Sequence, residues 1–283
     1  MSGWTTAGAP AKLNLALVVG PVRDDGKHEV VTLLERLSLE DTVAMRRARE
    51  TRVTGFAEDT LVGAALDALA QATGGHRFFE ARIEKRIPVA AGLGGGSSDA
   101  AAALLLANGL LDDPLPDGVL HELAAELGAD VPFFLHPGPQ LATGDGTTLE
   151  PRTLPREYSV VLALPHGAVK ASTADVYGAF DARRGDVGFD ERRSALLHAL
   201  EGCAGVDDLA ALPANDLASS PLTARLRDLG AIRADVTGAG PVVYGLFAET
   251  GDAAEAADAI GDRAETWVAG PAETDDVSSR DRV

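Results

Sequence analysis

The 283-residue chain carries one cysteine, Cys203, which excludes an internal disulfide and any multi-cysteine metal site. Its surroundings, Glu201-Gly202-Cys203-Ala204-Gly205, read it as a small buried side chain. Cations are scarce as well. Lys and Arg number 25 against 43 Asp and Glu, a formal net charge of −18, and the only lysines are Lys12, Lys27, Lys85 and Lys170. Nucleic acid and anionic lipid both need clustered basic residues, so neither is an expected partner. No apolar run approaches the ~18 residues that span a bilayer, and the N-terminal MSGWTTAGAPAKLN lacks the pattern of a signal peptide. The six histidines have no tight ligand spacing, and no G-x-S-x-G elbow is present. What the chain does have is apolar content: 46% hydrophobic residues, enough for a packed core and against general disorder. The reading is a soluble cytosolic protein of one large or two modest lobes.

Periodicity places a first strand at 11–19, with Leu13, Leu15, Leu17 and Val19 on one face and Lys12, Asn14, Ala16 and Val18 on the other. A second segment, 29–39, is strand in part. Asp59-Thr60 caps a helix over 61–72, and Phe79, Ala81, Ile83 and Ile87 mark a half-buried strand that Pro88 ends. A buried helix over 100–111 and another over 117–127, stopped by Gly128, follow. The linker is expected at 150–155. Beyond it lie a strand at 159–164, helices near 173–183, 191–201 and 224–229, a strand at 242–247, a helix at 253–264, and a loose polar tail from about 270.

The densest signal is Gly92-Leu93-Gly94-Gly95-Gly96-Ser97-Ser98-Asp99, between a strand and a buried helix. Four glycines within five residues let backbone N–H groups approach a ligand, and a helix N-terminus adds unpaired donors that suit phosphate. The loop lacks the Gly-Lys-Ser/Thr of a Walker A and the third glycine of a dinucleotide fingerprint. The plainer alternative is a turn capped by Ser98 or Asp99. Lys12, beside Asn14 in an apolar strand, is either a snorkelling lysine or a cation placed in a pocket. Asp130 sits past a helix end among apolar residues, where a simple turn is the alternative. Together these three supply what phosphoryl transfer needs: a phosphate cradle, charge neutralisation, and a carboxylate for the attacking hydroxyl. His28, in a polar turn, is read equally as surface or as ligand contact.

PAKLNL at 10–15, DG-x-HE at 25–29, IPVAAGLGGGSSDAA at 87–101, LGADVPFF at 127–134, STADVY at 172–177, Asn215-Asp216 and Thr237-Gly238-Ala239-Gly240 occur in consistent order. Their combination resembles the GHMP small-molecule kinases. Within them it is most similar to the branch that uses ATP to phosphorylate a cytidine-diphosphate-linked alcohol on the non-mevalonate route to isoprenoid precursors. The resemblance implies an α/β (α+β) two-lobed kinase. Residues 1–152 would form a lobe like ribosomal protein S5 domain 2, residues 153–283 a ferredoxin-like lobe, with the site in the cleft between them. It implies Lys12 and Asp130 as the catalytic pair. It assigns Pro88, Val89, Ala90, Ala91, Gly92, Leu93, Gly94, Gly95, Gly96, Ser97 and Ser98 to ATP, with the amides of 94–98 on the phosphates. Asn14, Lys27, His28 and Tyr177 would line the substrate pocket, with Thr237, Gly238 and Gly240 closing over it. It further implies ATP and Mg²⁺, the metal near Ser98, and a monomer or homodimer. One departure stands out: Lys27 occupies the place of the family's base-stacking tyrosine, where stacking contributes about 1–3 kcal/mol per base. That leaves two alternatives open, a GHMP kinase for a homoserine-, mevalonate- or sugar-type alcohol, and a nucleotide-binding relative without transferase activity.

Overall fold

The computed structural model describes residues 3–169 and 171–273. Two antiparallel hairpin strands dominate its first half: β1 (Thr5–Val22) and β2 (His28–Arg47) pair from end to end with three interruptions of register. The other edge of β2 is shared. Its second half pairs with β4 (Phe79–Glu84) and its first half with β5 (Gln140–Gly144). Short β3 (Arg52–Thr54) runs parallel to β4, and β6 (Thr148–Pro151) closes the far edge beside β5. Both strands exceed the sequence expectation because alternation is interrupted by bulges, which hide a strand's true ends from a period-2 reading.

One bulge corrects the assignment of faces on β1. Register shifts between Asn14 and Ala16, leaving Leu15 as the extra residue. A one-residue slip exchanges the two faces. Leu13, Leu15, Ala16 and Val18 therefore share one core, whereas Leu17 and Val19 join Val30, Phe180 and Leu217 in another. A second irregularity lies on β2, where Leu37 to Leu39 have no partner on β1. The chain's far end fills that gap: Ser38 N–H donates to the Gly270 carbonyl (2.8 Å), Ala272 N–H donates to that of Arg36 (2.8 Å), and Leu37 bridges Pro271. The expected loose tail is thus anchored over 270–272, and residues 274–283 lie outside the described residues.

Helix α1 (Leu61–Ala72) is capped by Asp59, whose carboxylate accepts the amides of Val62 (3.1 Å) and Gly63 (3.2 Å). Helix α2 (Gly95–Gly109) starts inside the glycine loop, five residues before the expected position, because glycines at its first turn tolerate helical angles as readily as loop ones. Its alanines are buried on opposite sides, Ala103 and Ala107 against α1 and Ala102 against Ala9 and Val43 of the sheet, so it shows no polar stripe. Helix α3 (Asp117–Leu127) ends at Gly128 as expected, and a 3₁₀ turn, Pro132–Leu135, follows.

The second half carries β7 (Ser159–Pro165), α4 (Thr173–Ala182), α5 (Phe189–Glu201), α6 (Pro221–Asp228), β8 (Arg233–Val236), β9 (Val243–Phe247), α7 (Thr250–Ala259) and β10 (Ala264–Ala269). Its four strands are all antiparallel in the order β10-β7-β9-β8, the ferredoxin-like arrangement. The change of texture read as a linker falls partly within β6, since Glu150 and Pro151 still pair with β5. The two sheets share a core in which Leu13 and Leu15 meet Val160, Leu162, Tyr244 and Leu246. Tyr244 secures that contact: its hydroxyl donates to the carbonyl of the bulged Leu15 (3.0 Å). Cys203 packs against the edge of this core and is half-buried rather than sealed in it. Burial pushes its thiol pKa up.

Candidate active site

A cavity of about 770 Å³ lies where β1, the glycine loop, the Asp130 turn and α4 converge. Lys12 reaches into it from β1. Its backbone N–H is bound to the Leu93 carbonyl (2.8 Å), so strand and loop are stitched at the lysine itself. The side chain is only 5% exposed, and its ammonium donates to Asn14 Oδ1 (2.5 Å) and lies 3.7 Å from Asp130 Oδ2. This is a cation placed in a pocket, not a snorkelling lysine. Asp130 stands opposite on the turn after α3, and its side chain is 45% exposed to the cavity.

Asn14 is held on every side. Its amide nitrogen donates to Thr32 Oγ1 (2.8 Å), which itself donates to the Ala16 carbonyl (2.7 Å). Its Oδ1 also accepts from Thr237 Oγ1 (3.2 Å), and Thr237 Oγ1 accepts the Asn14 backbone N–H (3.1 Å). Thr237 is fully buried and off the cavity wall, so it acts behind Asn14 instead of touching substrate as expected. Gly238 and Gly240 do line the cavity.

The cradle depends on two glycines. Gly92 has φ +83°, and a Cβ there would lie 2.8 Å from the Gly240 carbonyl, so the two glycine loops meet only without a side chain. Gly94 has φ +71°, and its Cβ would strike Lys12 Cγ at 2.8 Å and Phe134 Cζ at 3.0 Å. The free donors at the helix start are the amides of Gly95, Gly96 and Ser97, because Ser98 N–H already donates to the Gly94 carbonyl (2.9 Å). Residues Pro88 to Ser97 all line the cavity; Ser98 does not. Ser98 is 1% exposed with an unpartnered hydroxyl, and Asp99 is equally buried, so neither caps a turn.

At the opposite end His28 packs on Tyr177, ring centroids 4.7 Å apart, and its Nε2 lies 2.8 Å from Asp181 Oδ1. The imidazole side chain is 10% exposed, although the turn that leads into it, 21–27, is exposed. Burial, with Asp130 adding to it, pushes the Tyr177 hydroxyl up to about 12, which keeps it a neutral donor. Lys27 lies on this wall but is spoken for: its ammonium contacts Asp145 Oδ2 at 2.6 Å. That hydrogen bond raises the Lys27 pKa, and together with bonds from Thr147 it outweighs burial to bring Asp145 down to about 2. Asp145 belongs to the β5–β6 turn, whose Gly144-Asp145-Gly146 is a hairpin signal that sequence reading missed.

Also missed was a buried triad behind the glycine loop. Lys85 Nζ pairs with Asp41 Oδ2 and with Asp99 Oδ2 (2.7 Å). Asp41 Oδ1 accepts the amides of Arg86 (2.5 Å) and Ile87 (2.8 Å), fixing the approach to Pro88. A Cβ on Gly95 would lie 3.2 Å from Lys85 Nζ. Burial lifts Asp99 to about 7, against the pull of Lys85. Lys85 falls in phase with the apolar row Phe79, Ala81, Ile83 and Ile87, a lysine on a face that period turns inward, and sequence reading passed over it. Asp41 lies two residues past the expected end of its strand at 39, so nothing in the sequence marked it as buried.

The comparisons with known proteins follow this geometry. Residues 60–138 match the family model for the GHMP kinases N terminal domain, and residues 218–265 match GHMP kinases C terminal. The chain is 41% identical to 4-diphosphocytidyl-2-C-methyl-D-erythritol kinase of Anaeromyxobacter dehalogenans (strain 2CP-C), over 93% of this chain and 87% of that protein. The chain belongs to the GHMP kinases. The same enzyme from Kineococcus radiotolerans is 38% identical over 84% of this chain and 80% of its own length. A crystal structure of 4-(cytidine 5'-diphospho)-2C-methyl-D-erythritol kinase superposes with a TM-score of 0.76 at 30% identity, covering 95% of this chain and all of that one. Mevalonate kinase from Methanococcus jannaschii, at 13% identity and a TM-score of 0.74, shares the fold alone. GHMP kinases use ATP as phosphate donor. Among the described residues of this GHMP kinase, no helix is long and apolar enough to cross a membrane.

Proposed function

We propose that this kinase transfers the γ-phosphoryl group of ATP to the 2-hydroxyl of 4-diphosphocytidyl-2-C-methyl-D-erythritol, a step of non-mevalonate isoprenoid precursor synthesis. The observation that carries the reading is the Lys12–Asp130 pair, 3.7 Å apart, facing the free amides of α2 within one cavity. The acceptor oxygen attacks the γ-phosphorus as the bond to ADP breaks, and the hydroxyl proton passes to Asp130. Lys12 neutralises the developing alkoxide, and Asn14 and Thr237 keep its ammonium from swinging away. The amides of Gly95, Gly96 and Ser97 balance the phosphate charge. Residues 1–152 supply all of these groups except Thr237; residues 153–283 supply the second glycine loop and Tyr177.

His28 and Tyr177 present a ring pair for the cytosine, with the Nδ1 edge of His28 free of the Asp181 contact. The apolar corner made by Phe56, Leu61 and Val89 beside the glycine loop suits the adenine. Mg²⁺ supplies charge neutralisation to the phosphates when bound. Ser98 does not fit such an ion, since its hydroxyl is sealed from the cavity; among the oxygen donors that do line it, Asp130 and Ser97 lie beside Lys12 and the glycine loop.

ADP release, measured with 4-diphosphocytidyl-2-C-methyl-D-erythritol, homoserine and mevalonate in parallel, tests the assignment. Turnover with the cytidine substrate alone is the expected result. Turnover with either of the other two, and none with the cytidine substrate, would overturn it.

A further inference from the structure

Arg36 is the cross-strand partner of Lys12 in the β1–β2 pair, so the two cations stand side by side on one face of the sheet. Such neighbours repel, and Arg36 is 8% exposed with its Nε unpartnered. Burial draws its guanidinium down to about 10. These are costs, and what offsets them is specific. Nη2 of Arg36 donates to the backbone carbonyls of Phe134 (2.5 Å) and Phe133 (3.4 Å), and the guanidinium lies 5.7 Å from the centroid of the Phe133 ring.

Those carbonyls belong to the 3₁₀ turn that begins two residues after Asp130. The run from Gly128 is continuous: Val131 N–H donates to the Gly128 carbonyl (3.0 Å), Phe134 N–H to that of Val131 (3.1 Å), and His136 N–H to that of Phe133 (3.3 Å). None of the loop and turn bonds among the described residues uses the amide or carbonyl of Asp130 itself. The carboxylate is therefore placed by its neighbours. Phe134 also touches the Gly94 position, so the same turn borders the phosphate cradle.

We propose that Arg36 is a positioning residue for phosphoryl transfer. By clamping the Phe133 and Phe134 carbonyls to the strand that carries Lys12's partner position, it sets the placement of Asp130 relative to Lys12 and the acceptor hydroxyl. The inference rests on Asp130 being the proton acceptor. Lysine at this position keeps the charge, but its ammonium ends short of the place where Arg36 Nη2 meets the two carbonyls and has no planar group to lie beside the Phe133 ring. A displacement of about 1 Å at a reacting group can lower turnover ~100-fold.

The test is a double-mutant cycle on the full-length protein, with kcat and both KM values read for wild type, Arg36→Lys, Asp130→Asn and the double variant, and folding checked by thermal unfolding. Expected is a loss of ~10–100-fold in kcat for Arg36→Lys with both KM values kept, and no further loss when it is added to Asp130→Asn. An equal loss in both backgrounds, or no loss in either, would overturn the proposal while leaving Asp130 as the base. Near-normal turnover of Asp130→Asn alone would overturn the base assignment and this inference with it. Arg36→Gln, read by the same four-way comparison, replaces Arg36→Lys should that variant fail to fold.

Discussion

Two lysine–carboxylate clusters flank the start of α2, one residue apart along the glycine loop. Lys12 meets the Gly94 position and Lys85 the Gly95 position. The first cluster is open: Asp130 is 45% exposed and stands 3.7 Å from its cation, beyond direct hydrogen-bond distance, so a hydroxyl in the cavity can reach both. The second is closed at its acids, with Asp41 and Asp99 side chains at 0% and 2% exposure and in direct contact with Lys85, which alone of the three borders the cavity. Residue type does not distinguish them. Access does: a carboxylate that substrate can reach can take a proton from it, whereas one that is sealed behind the loop can only hold the loop in place.

Substitution breaks the comparison most sharply at Asp130. Asp130→Asn lowers kcat by ~10²–10⁴-fold with the KM for ATP nearly unchanged, as steady-state kinetics will read, because only proton transfer is removed. In the closed cluster the loss is one of stability. Asp41→Ala leaves Lys85 short of a partner and strands two amides, and equilibrium unfolding in urea is expected to report a loss of about 3–5 kcal/mol. Glu35, on β2, sharpens the contrast between sealed and open acids. Burial lifts it from 4.5 to about 7, against Arg156 and the Arg36 amide. A carboxyl raised on folding contributes stability that is complete below its unfolded pKa and is lost as pH rises through its folded one. Unfolding free energy should thus fall between about pH 4.5 and 8, and Glu35→Gln should flatten that decline. Smallest is the exposed Lys27–Asp145 pair: Lys27→Ala should shift stability by less than about 1 kcal/mol, and less again in high salt.

Most of the open site was legible. A lysine and an asparagine on an apolar strand, four glycines before an alanine-rich helix, and an aspartate after a helix stop are each locally odd, and the structure brings Lys12, Asn14, Asp130 and the loop into one cavity. The closed cluster was not, because Asp41, Lys85 and Asp99 lie on β2, just past β4 and on α2, and only the fold brings the three together. Thr237 and Ser98 were placed one layer too near the ligand for a related reason: sequence gives neighbourhood along the chain, but a helix turn or a strand's reverse face decides which of two adjacent residues meets the cavity. Lys27 had the right wall but the wrong company, since Asp145 reaches it from a hairpin turn over a hundred residues away.

Composition and the glycine loop by themselves pointed to an acidic protein with backbone amides suited to phosphate. The resemblance of its motifs to the GHMP kinases added the two-lobed α/β fold and the kinase activity, because those features depend on residue type and local order alone. The bulge at Leu15, the pinning of 270–272 to β2, the shared core beneath Tyr244 and the burial that separates Asp99 from Asp130 were decided only by tertiary structure. Register, access and solvation depend on what packs against a residue from elsewhere in the chain. The surface charge of −18 and the cationic Lys12 site coexist for that reason: one is a sum over the sequence, and the other is a matter of what the fold encloses.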